Sequence, residues 1–500
     1  MVAEVTSFAF EGVEARPVRV QAHLTGGHPA FVIVGLPDKA VSEAKDRISA
    51  AFSSIGLGLP PKRITVNLAP ADLRKEGSHF DLPIALALMA EMGAIPRDAV
   101  EGMAVIGELG LDGSIAKTVG ALPAAVAAGS LDIGLICAAA SGAEAAWAGG
   151  DAEIIAAASI LQLANHFKGT QVLTPPEPGA LIDGAACPDL ADVKGQETAR
   201  RALEVAAAGG HNLVMIGPPG SGKSMMASRL PGLLPSLSPR EMLDVSMIQS
   251  VAGMIENGAL HSQRPFRAPH HSASMAAMVG GGVRAKPGEA SLAHHGVLFL
   301  DELPEFSPQV LDSLRQPLET GDILIARANA HIRYPARFQL VAAMNPCRCG
   351  SVCIRGPSCA PKYQARVSGP FLDRMDITIE TPPVSALELA APGGGEPTAA
   401  VAARVAAARQ AQNARGAVNA HLGEADISAA ARPDEAGQQL LIKACEQLDL
   451  SARAYTRTLR VARTLADLEG KQAVRRVHIA EAISFRRREP HAATDRMRSG

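Results

Sequence analysis

Eight consecutive residues, Gly217-Pro218-Pro219-Gly220-Ser221-Gly222-Lys223-Ser224, fit the phosphate-binding pattern G-x-x-x-x-G-K-[ST]. The apolar run Leu213-Val214-Met215-Ile216 precedes them as a buried strand would, and Met225-Met226-Ala227 continues as a helix. Glycine lets backbone N–H groups turn inward around phosphate oxygens, and the helix N-terminus adds a favourable dipole. Lys223 is expected to reach the β- and γ-phosphates, and the Ser224 hydroxyl to ligate Mg²⁺. Strand, loop and helix in register predict a site for a nucleoside triphosphate.

A second run, Val297-Leu298-Phe299-Leu300, ends in Asp301-Glu302. Four apolar residues read as a buried parallel strand, and ligands of open α/β sheets collect at the carboxyl ends of such strands. Asp301 there would hold Mg²⁺, directly or through water, while Glu302 would orient and polarise an attacking water. A third run, Gln339 to Met344, ends in Asn345, which could position the water or sense the γ-phosphate. Arg374, in Phe371-Leu372-Asp373-Arg374-Met375-Asp376, has two readings of equal weight. It could reach a neighbouring subunit's γ-phosphate and stabilise transition-state charge, or it could be a surface salt-bridge partner.

These motifs need elements to hold them, and 500 residues suffice for about three domains. Residues 1–168 read as a compact α/β unit. It has strands at 31–34 and 64–68, helices from Pro37 to Ala50 and Pro83 to Met92, and an Asp112-Gly113 hairpin turn. Residues 169–189 read as a linker around Thr174-Pro175-Pro176-Glu177-Pro178-Gly179. The nucleotide-binding core spans 190–390, with a helix from Gln196 to Ala208 stopped by Gly209-Gly210. A second linker, 391–399, leads to an Ala-rich helical region at 400–490 and a flexible tail at 491–500. The formal net charge is −2, so nucleic-acid contacts must come from local basic patches. No apolar stretch is long enough to cross a bilayer, and the amino terminus lacks a secretory pattern, so a cytoplasmic protein without a membrane partner is expected.

Four of the seven cysteines, Cys347, Cys349, Cys353 and Cys359, fall within thirteen residues just after the Asn345 strand. Such crowding in a cytosolic protein argues for metal before disulfide. Four thiolates can close a tetrahedral zinc site, yet C-x-C-x₃-C-x₅-C is not the familiar pair of C-x-x-C knuckles. Structural zinc, free thiols and a redox role all stay open. The His270-His271 and His294-His295 pairs are poorer metal candidates, because adjacent side chains diverge.

The chain resembles the ComM/YifB family of magnesium-chelatase-like AAA+ ATPases. The resemblance rests on Gly195-Gln196, the Gly217–Ser224 loop, Arg264-Pro265-Phe266-Arg267-Ala268-Pro269-His270-His271, Gly288 to Gly296, and Asn345-Pro346-Cys347. It implies an α/β P-loop AAA+ core with a parallel sheet, ATP with Mg²⁺, and a ring, expected to be a hexamer, with ATP between subunits. It also implies Asn345 as sensor 1, Arg374 as a finger acting in trans, and Arg453 as the sensor-2 arginine, with Arg457 as the other choice.

In this family a helix-2 insert and a hairpin before sensor 1 are expected at about 250–290 and 322–338. Arg264, Arg267, Arg284 and Lys286 lie in the first; Arg327, His331, Arg333 and Arg337 lie in the second. Basic pore loops suit a nucleic-acid backbone, although solvated or salt-bridging arginines would look the same in sequence. ComM-type proteins are associated with branch migration in natural transformation, so a DNA motor of the helicase type is expected, acting on branched, single- or double-stranded DNA. The rivals are chelatase-type and protein-remodelling motors.

The first unit resembles the Lon-protease-type fold (ribosomal S5 domain 2-like), and the last segment would be a helical lid. His79 stands at the Lon nucleophile position and Leu122 at that of its partner lysine, which implies no peptidase activity. A nucleophile shifted to Ser78 stays open.

Overall fold

The computed structural model describes residues 2–184, 187–282, 285–327, 330–350, 353–390 and 394–486, with the backbone alone at 327, 330, 331, 389 and 424. The expected tail at 491–500 lies outside the described residues, as does part of the 391–399 linker.

Five short strands build the central parallel sheet, in the order Phe266–Arg267, Val297–Leu300, Gln339–Met344, Leu213–Ile216 and Ile377–Glu380. Val297–Leu300 and Gln339–Met344 are buried at every residue, because helices cover both faces. Gln339 is tolerated there because its amide donates to the carbonyls of Ala206 and His211. The expected helix before the phosphate loop spans Glu197–Gly209. The expected hairpin is present as Asp322–Arg327 paired antiparallel with Ala330–Pro335.

The carboxy-terminal helices Thr398–Ala414 and Ala452–Leu468 pack on Glu197–Gly209. They contribute Val405, Leu459 and Val461 to the same core as Leu213, Met215 and Val341. One buried ion pair locks the two parts together. Asp376, just before the last sheet strand, accepts from Arg457 at 2.6 Å and from the Asn212 backbone at 2.9 Å. Burial alone would raise this carboxyl, but the Arg457 guanidinium, the His211 ring and the Asn212 N–H hold it well below the usual range. Asp376→Ala would leave Arg457 charged and unpaired, and is expected to cost about 3–5 kcal/mol in chemical denaturation. Because the folded-state pKa is depressed, this stabilisation is present above the ordinary carboxylate pKa. It should fade as pH falls below about 4.

Residues 3–167 carry a separate seven-stranded mixed sheet, in the order Ala30–Val34, Arg63–Ala69, Glu14–Thr25, Ala3–Glu11, Met103–Val105, Gly134–Ala138 and Ile154–Ala157. Arg63–Ala69 alternates inside and outside as a half-covered strand must, whereas ten of the eleven residues of the helix Asp81–Glu91 are buried. The Asp112-Gly113 turn joins two short antiparallel strands, with Leu109 opposite Ile115 and Gly113 at φ +82°.

The amino-terminal unit is fastened to the core by side chains that sequence spacing does not link. Trp147 Nε1 donates to Gly258 O, Lys117 Nζ to Ile255 O and Ser250 Oγ to Glu144. Leu122, Ile255 and Leu260 form a small apolar core between them. The segment expected to be a free linker is laid down as well, since Leu181–Ile182 pairs in parallel with Leu260–His261.

Candidate active site

The phosphate loop leaves the carboxyl end of the Leu213–Ile216 strand and enters the short helix Lys223–Ala227. Gly220 and Gly222 adopt φ +78° and +87°, values that L side chains rarely take. Gly217 has no room for a side chain, because a Cβ there would lie 2.1 Å from Thr381 Oγ1. The Ser221 hydroxyl packs 3.1 Å from the same Thr381 oxygen.

Lys223 is buried, and its ammonium points back into the loop. It lies 2.7 Å from Gly217 O, 2.8 Å from Pro218 O, 3.4 Å from Ser221 Oγ and 3.3 Å from Asn345 Oδ1. All four partners are neutral oxygens, and burial lowers the pKa of the amine. A buried cation ringed by neutral acceptors, beneath inward-turned backbone, fits a phosphate anion. Ser224 Oγ donates to Asp301 Oδ2 at 2.6 Å. Those two oxygens, from the loop and from the next strand but one, are a hard-oxygen pair suited to Mg²⁺.

Asp301 is steadied on its other oxygen by the Glu302 backbone N–H at 2.8 Å. Glu302 itself sits in the left-handed region at φ +51°, which turns its side chain away from the strand line. Its carboxylate is half exposed and lies 3.4 Å from His271 Nδ1. Five of the expected residues, Lys223, Ser224, Asp301, Glu302 and Asn345, thus gather at one edge of the sheet. His271 joins them unannounced; its only sequence signal is membership of the Arg264–His271 string. A cleft of about 440 Å³ lined by Val193, Gln196, Arg200, Glu380 and Gly395 adjoins the loop, where the Gln196 amide donates to Ser221 O.

Arg374 and Arg453 are elsewhere. Arg374 lies three residues before the strand Ile377–Glu380, toward the amino edge of a sheet whose carboxyl edge carries the phosphate loop. Its guanidinium is buried, donates to Arg315 O and Pro370 O, and pairs with Glu319 at 2.5 Å. Arg453 is 64% exposed and lies 3.8 Å from both Glu319 and Asp373. Arg457, the other choice for sensor 2, is taken up by Asp376. Arg453 therefore belongs with Arg374 on the far face and not with the chain's own phosphate loop. The strand Ile377–Glu380 runs between the two edges.

The expected basic loops are only partly free. Arg264 is bidentate on Glu241, and Arg267 on Glu289, so both brace the core instead of facing a pore. Lys286, Arg333 and Arg337 remain at the surface, with Arg333 paired to Asp322. The Tyr334 hydroxyl donates to Ala285 O, tying the hairpin to the helix-2 insert. Arg284 and the side chains of Arg327 and His331 lie outside the described residues.

In the amino-terminal unit the Ser78 hydroxyl donates to Glu108, and His79 is buried against Phe8 O with its pKa pushed down to about 4 by burial. Lys75 donates to Pro70 O, and Lys117 is committed to Ile255 O and Glu144. Leu122 is interface core.

Cys347, Cys349, Cys353 and Cys359 converge, with all four Sγ atoms within 4.8 Å of one another. His294 and His295 also approach Asp244 within that distance, although adjacent side chains had argued against it. His294 instead accepts the Arg337 backbone N–H, and burial lowers its pKa to about 3.

Replacing Lys223 with alanine removes the one buried cation of the loop. Its loss should weaken ATP binding by about 1.5–3 kcal/mol, or about 10- to 100-fold in Kd by titration calorimetry.

Comparison with known proteins adds three family matches: magnesium chelatase subunit ChlI over residues 189–389, subunit ChlI of Mg-chelatase over 20–141, and the ChlI C-terminal region over 395–486. The chain is 45% identical to the competence protein ComM of Haemophilus influenzae over 97% of both chains. It is 44% identical to the Escherichia coli protein YifB over 95% of both. The magnesium-chelatase 38 kDa subunit of Rhodobacter capsulatus is 28% identical over 171 residues, 31% of this chain and 49% of that one.

Proposed function

The chain belongs to the ComM/YifB family of magnesium-chelatase-like AAA+ ATPases, and we propose that it hydrolyses ATP in a ring of subunits to drive movement along branched DNA. The observation that carries the ATPase reading is the closure of Ser224 on Asp301 at 2.6 Å beside Lys223 and Asn345. ATP and Mg²⁺ are the cofactors of such a site. Lys223 and the loop N–H groups bind phosphate, and Ser224 with Asp301 holds the ion. Asn345 fixes the γ-phosphate or the water, and Glu302 takes the proton of that water.

The ring reading is supported by the placement of Arg374 and Arg453 beside Glu319 and Asp373. Both sit toward the amino edge of the sheet, a position that suits completion of a neighbour's site, and a hexamer is the closed form proposed. Three working parts are proposed, with limits near 1–168, 190–390 and 400–490. The first is a Lon-protease-like unit without peptidase activity that helps assemble the ring or bind DNA.

The DNA reading is supported by the 45% identity to a competence protein and by the surface cations Lys286, Arg333 and Arg337 beside the hairpin. Backbone contacts of this kind are sequence-blind. The ion pairs that consume Arg264 and Arg267 favour one rival, a motor that remodels a protein partner. Stimulation of ATP turnover by DNA separates the two. Among the described residues no helix is long and apolar enough to cross a membrane, and a cytoplasmic location is part of the proposal.

A further inference from the structure

The four-cysteine cluster is not consumed by the nucleotide chemistry, and its geometry is specific. Cys349 Sγ and Cys359 Sγ are 3.8 Å apart, far beyond the about 2.05 Å of a disulfide. Zinc–sulfur bonds of about 2.3 Å in a tetrahedron place neighbouring sulfurs about 3.8 Å apart. All four sulfurs lie within 4.8 Å of one another. Tight turns aim the sulfurs inward: Gly350 N donates to Cys347 O, Cys359 N to Gly356 O, and Cys353 Sγ approaches Gly356 O. Cys353 to Ser358 are exposed, Ile354 at 85%, and the Ile354 and Arg355 backbone N–H groups bond to the Cys349 sulfur.

The location gives the cluster work to do. Cys347 stands two residues after Asn345, whose amide oxygen meets Lys223. Gly350, at φ +82°, lies against the phosphate loop, where an added Cβ would be 3.3 Å from Pro219 Cγ. Gln364, in the helix that begins at Cys359, donates to Pro346 O at 2.9 Å. One end of the cluster therefore anchors the Asn345 strand end, and its middle rests on the phosphate loop.

We propose that Cys347, Cys349, Cys353 and Cys359 bind one structural zinc ion that pins Asn345 and Pro219 in place, making ATP turnover zinc-dependent. Soft thiolates in tetrahedral array select zinc over the magnesium used next door. The cysteines are positioning residues and touch no substrate. The second half of the proposal rests on the ATPase reading; the first half does not.

The test measures metal by mass spectrometry on the full chain, with ATP turnover and ATP-induced thermal stabilisation on the same samples. The parent protein should carry about one zinc per chain. Cys349→Ser/Cys359→Ser should lose the zinc, keep its far-ultraviolet circular dichroism and turn over about 10- to 100-fold more slowly, as small misplacements in a site do. Cys359→His, which leaves a Cys₃His ligand set, should keep both zinc and turnover. A parent chain purified without zinc, or with iron instead, overturns the site. Full turnover and full ATP stabilisation in the zinc-free double variant overturn the positioning role. A zinc-loaded parent with no ATPase would sink the ATPase reading and, with it, only the second half of this one.

Discussion

A Glu302→Gln protein should bind ATP as the parent chain does and hydrolyse it at least about 100-fold more slowly, as loss of a general base costs about 10²–10⁴-fold. Glutamine keeps the size and the backbone turn at φ +51°, so the Asp301 contact with Ser224 and the Glu302 N–H should survive. What disappears is the one carboxylate at that strand end that is free of ion duty. Asp301 is bonded on both oxygens, whereas the Glu302 carboxylate is half exposed with His271 nearby. Single-turnover hydrolysis and nucleotide titration together check this. An unchanged rate would show that another group activates the water.

Arg374→Ala should lose about 10³- to 10⁵-fold in turnover, the scale of an arginine finger, and regain part of it when mixed with Lys223→Ala subunits. The expectation rests on the strand topology. Arg374 precedes Ile377–Glu380, and Ile216, at the mouth of the phosphate loop, pairs with Glu380 at the opposite end of that strand. Four residues at about 3.3 Å each separate the two edges by about 13 Å before any side chain is counted. In a mixed ring, the Lys223→Ala subunit has a dead site of its own but lends an intact Arg374 to its neighbour. Reaching across costs the contacts with Glu319, Arg315 O and Pro370 O. A folding defect in Arg374→Ala would not be cured by mixing, so recovery separates the trans role from a structural one.

Much of the site was legible because its signals are local. The phosphate loop, Asp301/Glu302 and Asn345 each follow a run of apolar residues, and buried parallel strands announce themselves in that way. Their convergence follows from the parallel sheet, whose carboxyl ends share an edge. The fates of the arginines were not legible. Glu241 and Glu289, which neutralise Arg264 and Arg267, lie 23 and 22 residues away in sequence, too far for any periodic pattern to pair them. Arg453 falls on the far face because Ala452–Leu468 packs behind the sheet on Glu197–Gly209, a tertiary choice. His271 could be noticed only as part of an unusual string. The cysteine spacing left zinc, free thiols and a redox role open, and the folded loop brings the four sulfurs together. Leu122 read as a missing lysine, and its burial between two units gives the apolar residue its reason.

The central claim is an ATP-driven motor that works on DNA. The direct measurement is steady-state ATP turnover at fixed low salt with no DNA, with single strand, with duplex and with a four-way junction, using Glu302→Gln as the blank. Strong stimulation by DNA, greatest with the junction and weakening as salt rises, is the expected result. A rate indifferent to every DNA, with no DNA binding, would contradict it and leave an ATPase whose partner is a protein.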